Sequence, residues 1–128
     1  MNTKLLMVSS AIFMGIAGIA VSFFPQEILN HLNIDSNSPQ VILMQITGAL
    51  YLGFGLLNWT ARGNLIGGIY SRPVSVGNLL HFTMVAIALI KLILSQKPHL
   101  TIFYLVTVLY VLFALAFWKV FVTHPIKE

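Results

Sequence analysis

Cysteine is absent from the 128 residues. Its absence excludes disulfides, thiolate metal sites, cysteine nucleophiles and iron–sulfur clusters together. Acidic residues are almost as scarce, since Glu27, Asp35 and Glu128 are the whole complement and none lies inside a long apolar run. That removes paired-carboxylate hydrolysis at membrane depth, and it argues against proton- or cation-coupled transport, which usually relies on an intramembrane carboxylate. No glycine-rich phosphate loop is present, because Gly63 to Gly68 has neither the required spacing nor the lysine. The seven Lys and Arg are scattered and never alternate with aromatics in a cluster, so no nucleic-acid partner is expected.

Hydrophobic residues, by contrast, make up 58% of the chain, and mean hydropathy is +0.91. Ten charged side chains cannot supply the polar surface of a soluble fold of this size. Lipid can therefore be the solvent for much of the surface. Four stretches reach the roughly 20 apolar residues that a membrane-crossing helix needs: 5–24, 41–60, 74–94 and 100–122. Lipid offers the backbone no hydrogen-bond partner, so each run is expected to be helical. The expected architecture is an all-α membrane protein, a single domain over 1–128 forming an antiparallel four-helix transmembrane bundle. The first run follows Lys4 as a signal peptide would, but it ends at Phe23-Phe24-Pro25 without a small-residue cleavage site and reads as an uncleaved span.

In the first connection, Pro25 suits a helix start, and Ile28, Leu29 and Leu32 fall on one side of residues 26–32. A short interfacial helix is expected there, followed by a turn-rich stretch from Asn33 to Pro39. The second connection, 61–73, holds both arginines with Gly63, Gly67 and Gly68; the third, 95–99, is a tight turn with Pro98. Lys4, Arg62, Arg72, Lys119 and Lys127 fall on one side, against Lys91 and Lys97 on the other. This split places both termini in the cytoplasm, with Trp59 and Trp118 near the cytoplasmic interface.

Polar side chains within the runs are the informative positions, because each needs a partner to offset desolvation. Thr47, Tyr51, Asn58 and Arg62 recur at spacings of four, seven and four; Ser75, Asn78 and His81 step by three. The opposed directions of the second and third spans bring these ends to one side. The candidate ligand-binding set is therefore Tyr51, Asn58, Arg62, Arg72, Asn78 and His81, with the arginines available to an anionic headgroup or carboxylate. The plainer reading of the same residues is interhelical hydrogen bonding, with arginines reaching toward phosphates.

His81 alone could relay a proton or ligate haem, but His31, His99 and His124 lie in connections or the tail, so no second imidazole shares its depth. Solvated loop histidines are the simpler reading of His31 and His99, which could otherwise meet a metal with Glu27 or Asp35. No catalytic constellation, metal site or cofactor is expected. Ala11, Gly15, Gly18 and Ser22 form a small-residue face, as do Gly48, Leu52 and Gly55, suited to packing within the bundle or to a homodimer seam. The aromatics of the fourth span, Phe103, Tyr104, Tyr110, Phe113 and Phe117, read as spread around their helix.

Phe23-Phe24-Pro25, a short helix, and then Thr47-Gly48-Ala49-Leu50-Tyr51-Leu52-Gly53-Phe54-Gly55 running into Ala61-Arg62 resemble small four-span bacterial proteins of the DoxX-like and DUF4345-like kind. The resemblance covers residues 20 to 65. It implies the same architecture and a bacterial inner-membrane location, and it implies no reaction.

Three functions are compatible with these observations. The first is a non-enzymatic accessory or interaction subunit, as a homo-oligomer or with a membrane partner protein. The alternative is binding or transport of a lipid or small amphiphile through a cytoplasmic-side pocket between the second and third spans. The third is a membrane-embedded enzyme on a lipid-soluble substrate, with His81 as acid or base assisted by Tyr51 or Asn78.

Overall fold

Each apolar run is a helix in the computed structural model, which describes residues 2–64, 66, 71–96 and 100–123. In order, these are α1 (Thr3–Phe23), α2 (Pro25–His31), α3 (Ser38–Ala61), α4 (Arg72–Gln96) and α5 (Thr101–Val122). No strand occurs among the described residues. The four long helices have 21, 24, 25 and 22 residues, with mean hydropathy of 2.1, 1.6, 1.9 and 2.3 over their apolar windows. At 1.5 Å per residue they measure roughly 31 to 38 Å, so each is long and apolar enough to cross a membrane. The expectations resting on Gly67, Gly68, Lys97, Pro98, His99, His124 and Lys127 lie outside the described residues.

The short helix α2 ends through a left-handed residue. Asn33 has φ 55°, and its N–H donates to the Asn30 carbonyl at 3.1 Å while Ile34 N–H donates to the Leu29 carbonyl at 2.9 Å. This pairing is the Schellman arrangement, which satisfies carbonyls that a helix end leaves open. Asparagine tolerates the left-handed region better than other side-chain-bearing residues. Leu29, 4% exposed, and Pro25 turn inward, while Phe23 and Phe24 remain exposed.

Helix α3 starts earlier than the apolar run. Asn37 Oδ1 accepts from Gln40 N–H at 3.2 Å, and Gln40 Oε1 accepts from Asn37 N–H at 3.3 Å, which closes a capping box. Pro39 therefore sits inside the first helical turn, where its missing N–H costs nothing, and not in the preceding turn. Arg72 and Pro73 likewise belong to the first turn of α4 and not to the connection. Both departures arise because polar and proline residues start helices as readily as they fill loops.

The chain divides into two compact units. One spans Lys4–Gly63 and holds α1, α2 and α3; the other comprises Met1–Thr3 with Asn64–Glu128 and holds α4 and α5. Within the first, α1 and α3 meet backbone to backbone. A Cβ built on Gly18 would lie 2.7 Å from Leu52 N, one on Gly48 2.6 Å from Ser22 N, and one on Gly55 3.0 Å from Gly15 N. Positions rise along α1 as their neighbours fall along α3, so the two helices run in opposite directions. The small-residue faces found in the sequence are thus occupied within one chain; self-association through that stripe would have to open this seam.

In the second unit, aromatic rings join α4 to α5. Phe82 lies 4.8 Å from Phe113 and 5.5 Å from both Phe117 and Tyr110, measured between ring centroids. Phe82 and Phe117 are fully buried and Tyr110 is 2% exposed. Tyr110, Phe113 and Phe117 are therefore one packed face of α5, and the expectation that its aromatics are spread around the helix is corrected for these three. Spacings of three and four place them together.

Candidate functional site

The six candidate residues fall into two sets. Tyr51, Asn58 and Arg62 belong to the first unit, and Arg72, Asn78 and His81 to the second. Asn58 is the most informative. It is fully buried, and its Nδ2 donates to Ser10 Oγ at 3.1 Å across the α1–α3 seam. Ser10, also fully buried, donates onward to the Met7 carbonyl at 3.0 Å. The result is a two-step chain, amide to hydroxyl to backbone carbonyl, in which the hydroxyl both accepts and donates as its chemistry allows.

Arg62 lies just past the end of α3. Its Nη1 donates to the Trp59 carbonyl, and its guanidinium carbon stands 4.1 Å above the Trp59 ring centroid. This is a cation–π contact that folds the side chain back on its own helix. Thr47, placed on the same face by spacing, is exposed and donates to the Leu43 carbonyl at 2.8 Å. The buried positions of α3 are Gly48, Gly55, Asn58 and Ala61, so Asn58 belongs with the glycine seam and Thr47 does not. Tyr51 is half-buried beside them in sequence.

In the second unit, Ser75 and Asn78 are fully buried on α4. Ser75 Oγ donates to the Arg72 carbonyl and Asn78 Nδ2 to the Val74 carbonyl, both at 2.9 Å. His81 is half-buried and packs its ring against Phe82 at 5.2 Å and Tyr110 at 5.8 Å. It is thus a member of the aromatic core. The exposed Arg72 has its guanidinium carbon 5.5 Å from the Phe121 ring on α5. Each arginine is held on an aromatic ring of its own unit.

Ser10 is the residue that the sequence reading missed. Its signal was present: with opposed first and second spans, a serine six residues into one and an asparagine near the end of the other reach the same depth. Serine is common in apolar helices, and Ser10 stands next to the small-residue stripe that begins at Ala11. Thr107 was also passed over; it is 7% exposed and donates to the Phe103 carbonyl at 2.6 Å. These side chains can hold helices together and satisfy one another. Comparison of the chain with protein-family models, with curated proteins and with solved structures finds no match.

Proposed function

We propose that the protein is a small integral protein of the bacterial inner membrane, crossing it four times as an antiparallel helical bundle with both termini in the cytoplasm. It acts without catalysis, as an accessory or interaction subunit. The observation that carries this reading is the Asn58–Ser10–Met7 chain, in which the most deeply buried amide of α3 serves to join two helices. Hydrogen bonds of this kind contribute about 0.6 kcal/mol on average between membrane helices and up to about 1.7. They stabilise a bundle and supply no reactive group.

Large aliphatic residues stay exposed along every long helix, among them Ile16, Leu50, Leu80, Met84 and Leu112. Such faces suit lipid or a neighbouring membrane protein. Crosslinking in native membranes is expected to give a discrete dimer or partner band, and monomer alone at every expression level would refute the accessory role.

Binding of a lipid or amphiphile is the second reading. It is supported by the exposed Arg72, which keeps guanidinium donors for an anion while resting on Phe121.

A further inference from the structure

The described residues of the second unit carry charge of one sign. They include Arg72, Lys91 and Lys119 and contain no Asp or Glu. Arg72 has the Phe121 ring, and Lys119 lies in the last turn of α5, where the helix dipole favours a cation. Lys91 is different. It is exposed, it stands five residues before the end of α4, and among the described residues it has neither a hydrogen-bond nor an ion-pair partner.

Beside Lys91 lies an open groove of about 480 Å³, lined by Ile87, Ile90, Lys91, Leu94 and Ser95. Ile87, Ile90 and Leu94 step by three and four along one flank of α4 and are 56%, 41% and 75% exposed. The Ser95 hydroxyl already donates to the Leu92 carbonyl at 3.3 Å, so the ammonium of Lys91 is the donor left for a ligand. The groove is an aliphatic trough with a single uncompensated cation near the helix end. A four-carbon lysine stem can carry that charge to the level of lipid phosphates while its methylenes stay in the apolar layer.

We propose that this groove seats one anionic phospholipid, its acyl chain along Ile87 and Ile90 and its phosphate on the Lys91 ammonium. The inference rests on the membrane reading above, but it uses neither the arginines nor the Asn–His positions of the second reading. With both termini cytoplasmic, the end of α4 faces the non-cytoplasmic leaflet, and Lys91 is a cation on the side where few occur. The described residues of this unit supply no countercharge, and a lipid phosphate does.

The test begins with an alkaline carbonate wash of membranes carrying the full chain. A chain that washes off overturns the membrane reading itself, and this inference with it. The retained protein is then released in mild detergent with phosphatidylglycerol, phosphatidylcholine or inorganic phosphate, and read by native mass spectrometry. One phosphatidylglycerol per chain is expected, held in preference to phosphatidylcholine. Lys91→Gln is expected to weaken its retention about fivefold, the effect of one basic residue at an anionic surface. Lys91→Arg is expected to keep it, and Ile90→Trp, which fills the trough without changing charge, to lose it. Equal retention of the two lipids overturns the proposal, as does retention unchanged by Lys91→Gln. Inorganic phosphate bound in place of lipid would mark a free-anion site and overturn it as well.

Discussion

Gly48→Val is expected to destabilise the protein by about 3 kcal/mol or more, the upper end of what overpacking costs, because the new side chain meets backbone. Its first carbon would stand 2.6 Å from Ser22 N and 3.0 Å from the Gly18 carbonyl oxygen, and neither atom can swing away as a flexible side chain would. To admit it, α1 and α3 must separate, and the close approach that holds them is lost along their length. Gly53→Val on the same helix is the matched control. Nothing lies within 4 Å of a Cβ at Gly53, so it bears only the propensity difference between glycine and valine, a few tenths of a kcal/mol. Unfolding of both variants in mild detergent, followed by helical circular dichroism, gives the comparison. Equal stability of the two would contradict the backbone-to-backbone seam.

Phe82→Ala is expected to cost about 3–5 kcal/mol, the usual range for emptying a buried aromatic site. Phe82 is fully buried, and its ring touches those of His81, Tyr110, Phe113 and Phe117, so one truncation removes partners from four rings. Met84→Ala two residues away removes a side chain that is 59% exposed, and it should change stability by less than about 1 kcal/mol. A second readout is near-ultraviolet circular dichroism, which reports fixed aromatic packing. Phe82→Ala should flatten it while leaving the far-ultraviolet signal of the remaining helices. A loss no greater than that of Met84→Ala would mean that the aromatic contacts do not hold α4 to α5.

The four long helices were legible in the sequence because run length is a blunt physical signal. Apolar stretches of about 20 residues have few other uses, and all four became helices within a few residues of their expected ends. Errors collected at the ends. Asn37 and Arg72 lie outside the apolar runs, and only the Asn37–Gln40 pairing and the tolerance of a first turn for Pro73 bring their segments into helices. Side-chain periodicity was a weaker guide to the candidate site. It put Thr47 and Asn58 on one face, but helices that cross at glycines do not bury a face evenly, and Thr47 is exposed while Asn58 is not.

The partner of Asn58 was harder to see, since a serine among apolar neighbours carries no signal until the facing helix is known. Tyr110, Phe113 and Phe117 were obscured in another way. Phe103 and Tyr104, one turn and more before them, made the aromatic positions look dispersed, although the packed three follow helical spacing among themselves. In each case the missing information was which face meets which, and a single helix does not contain it.

The central proposal is that the buried polar groups of the long helices serve packing, across the α1–α3 seam at Asn58 and within α4 at Ser75 and Asn78, and do not hold a ligand. Native mass spectrometry of the protein beside an Asn78→Leu, His81→Leu variant tests it most directly, with helical circular dichroism confirming that the variant is folded. The account predicts the same spectrum for both: chain multiples, with any phospholipid adduct retained equally because it sits at Lys91. A stoichiometric small-molecule adduct on the natural chain that vanishes in the variant would contradict the account and establish a ligand site around Asn78 and His81.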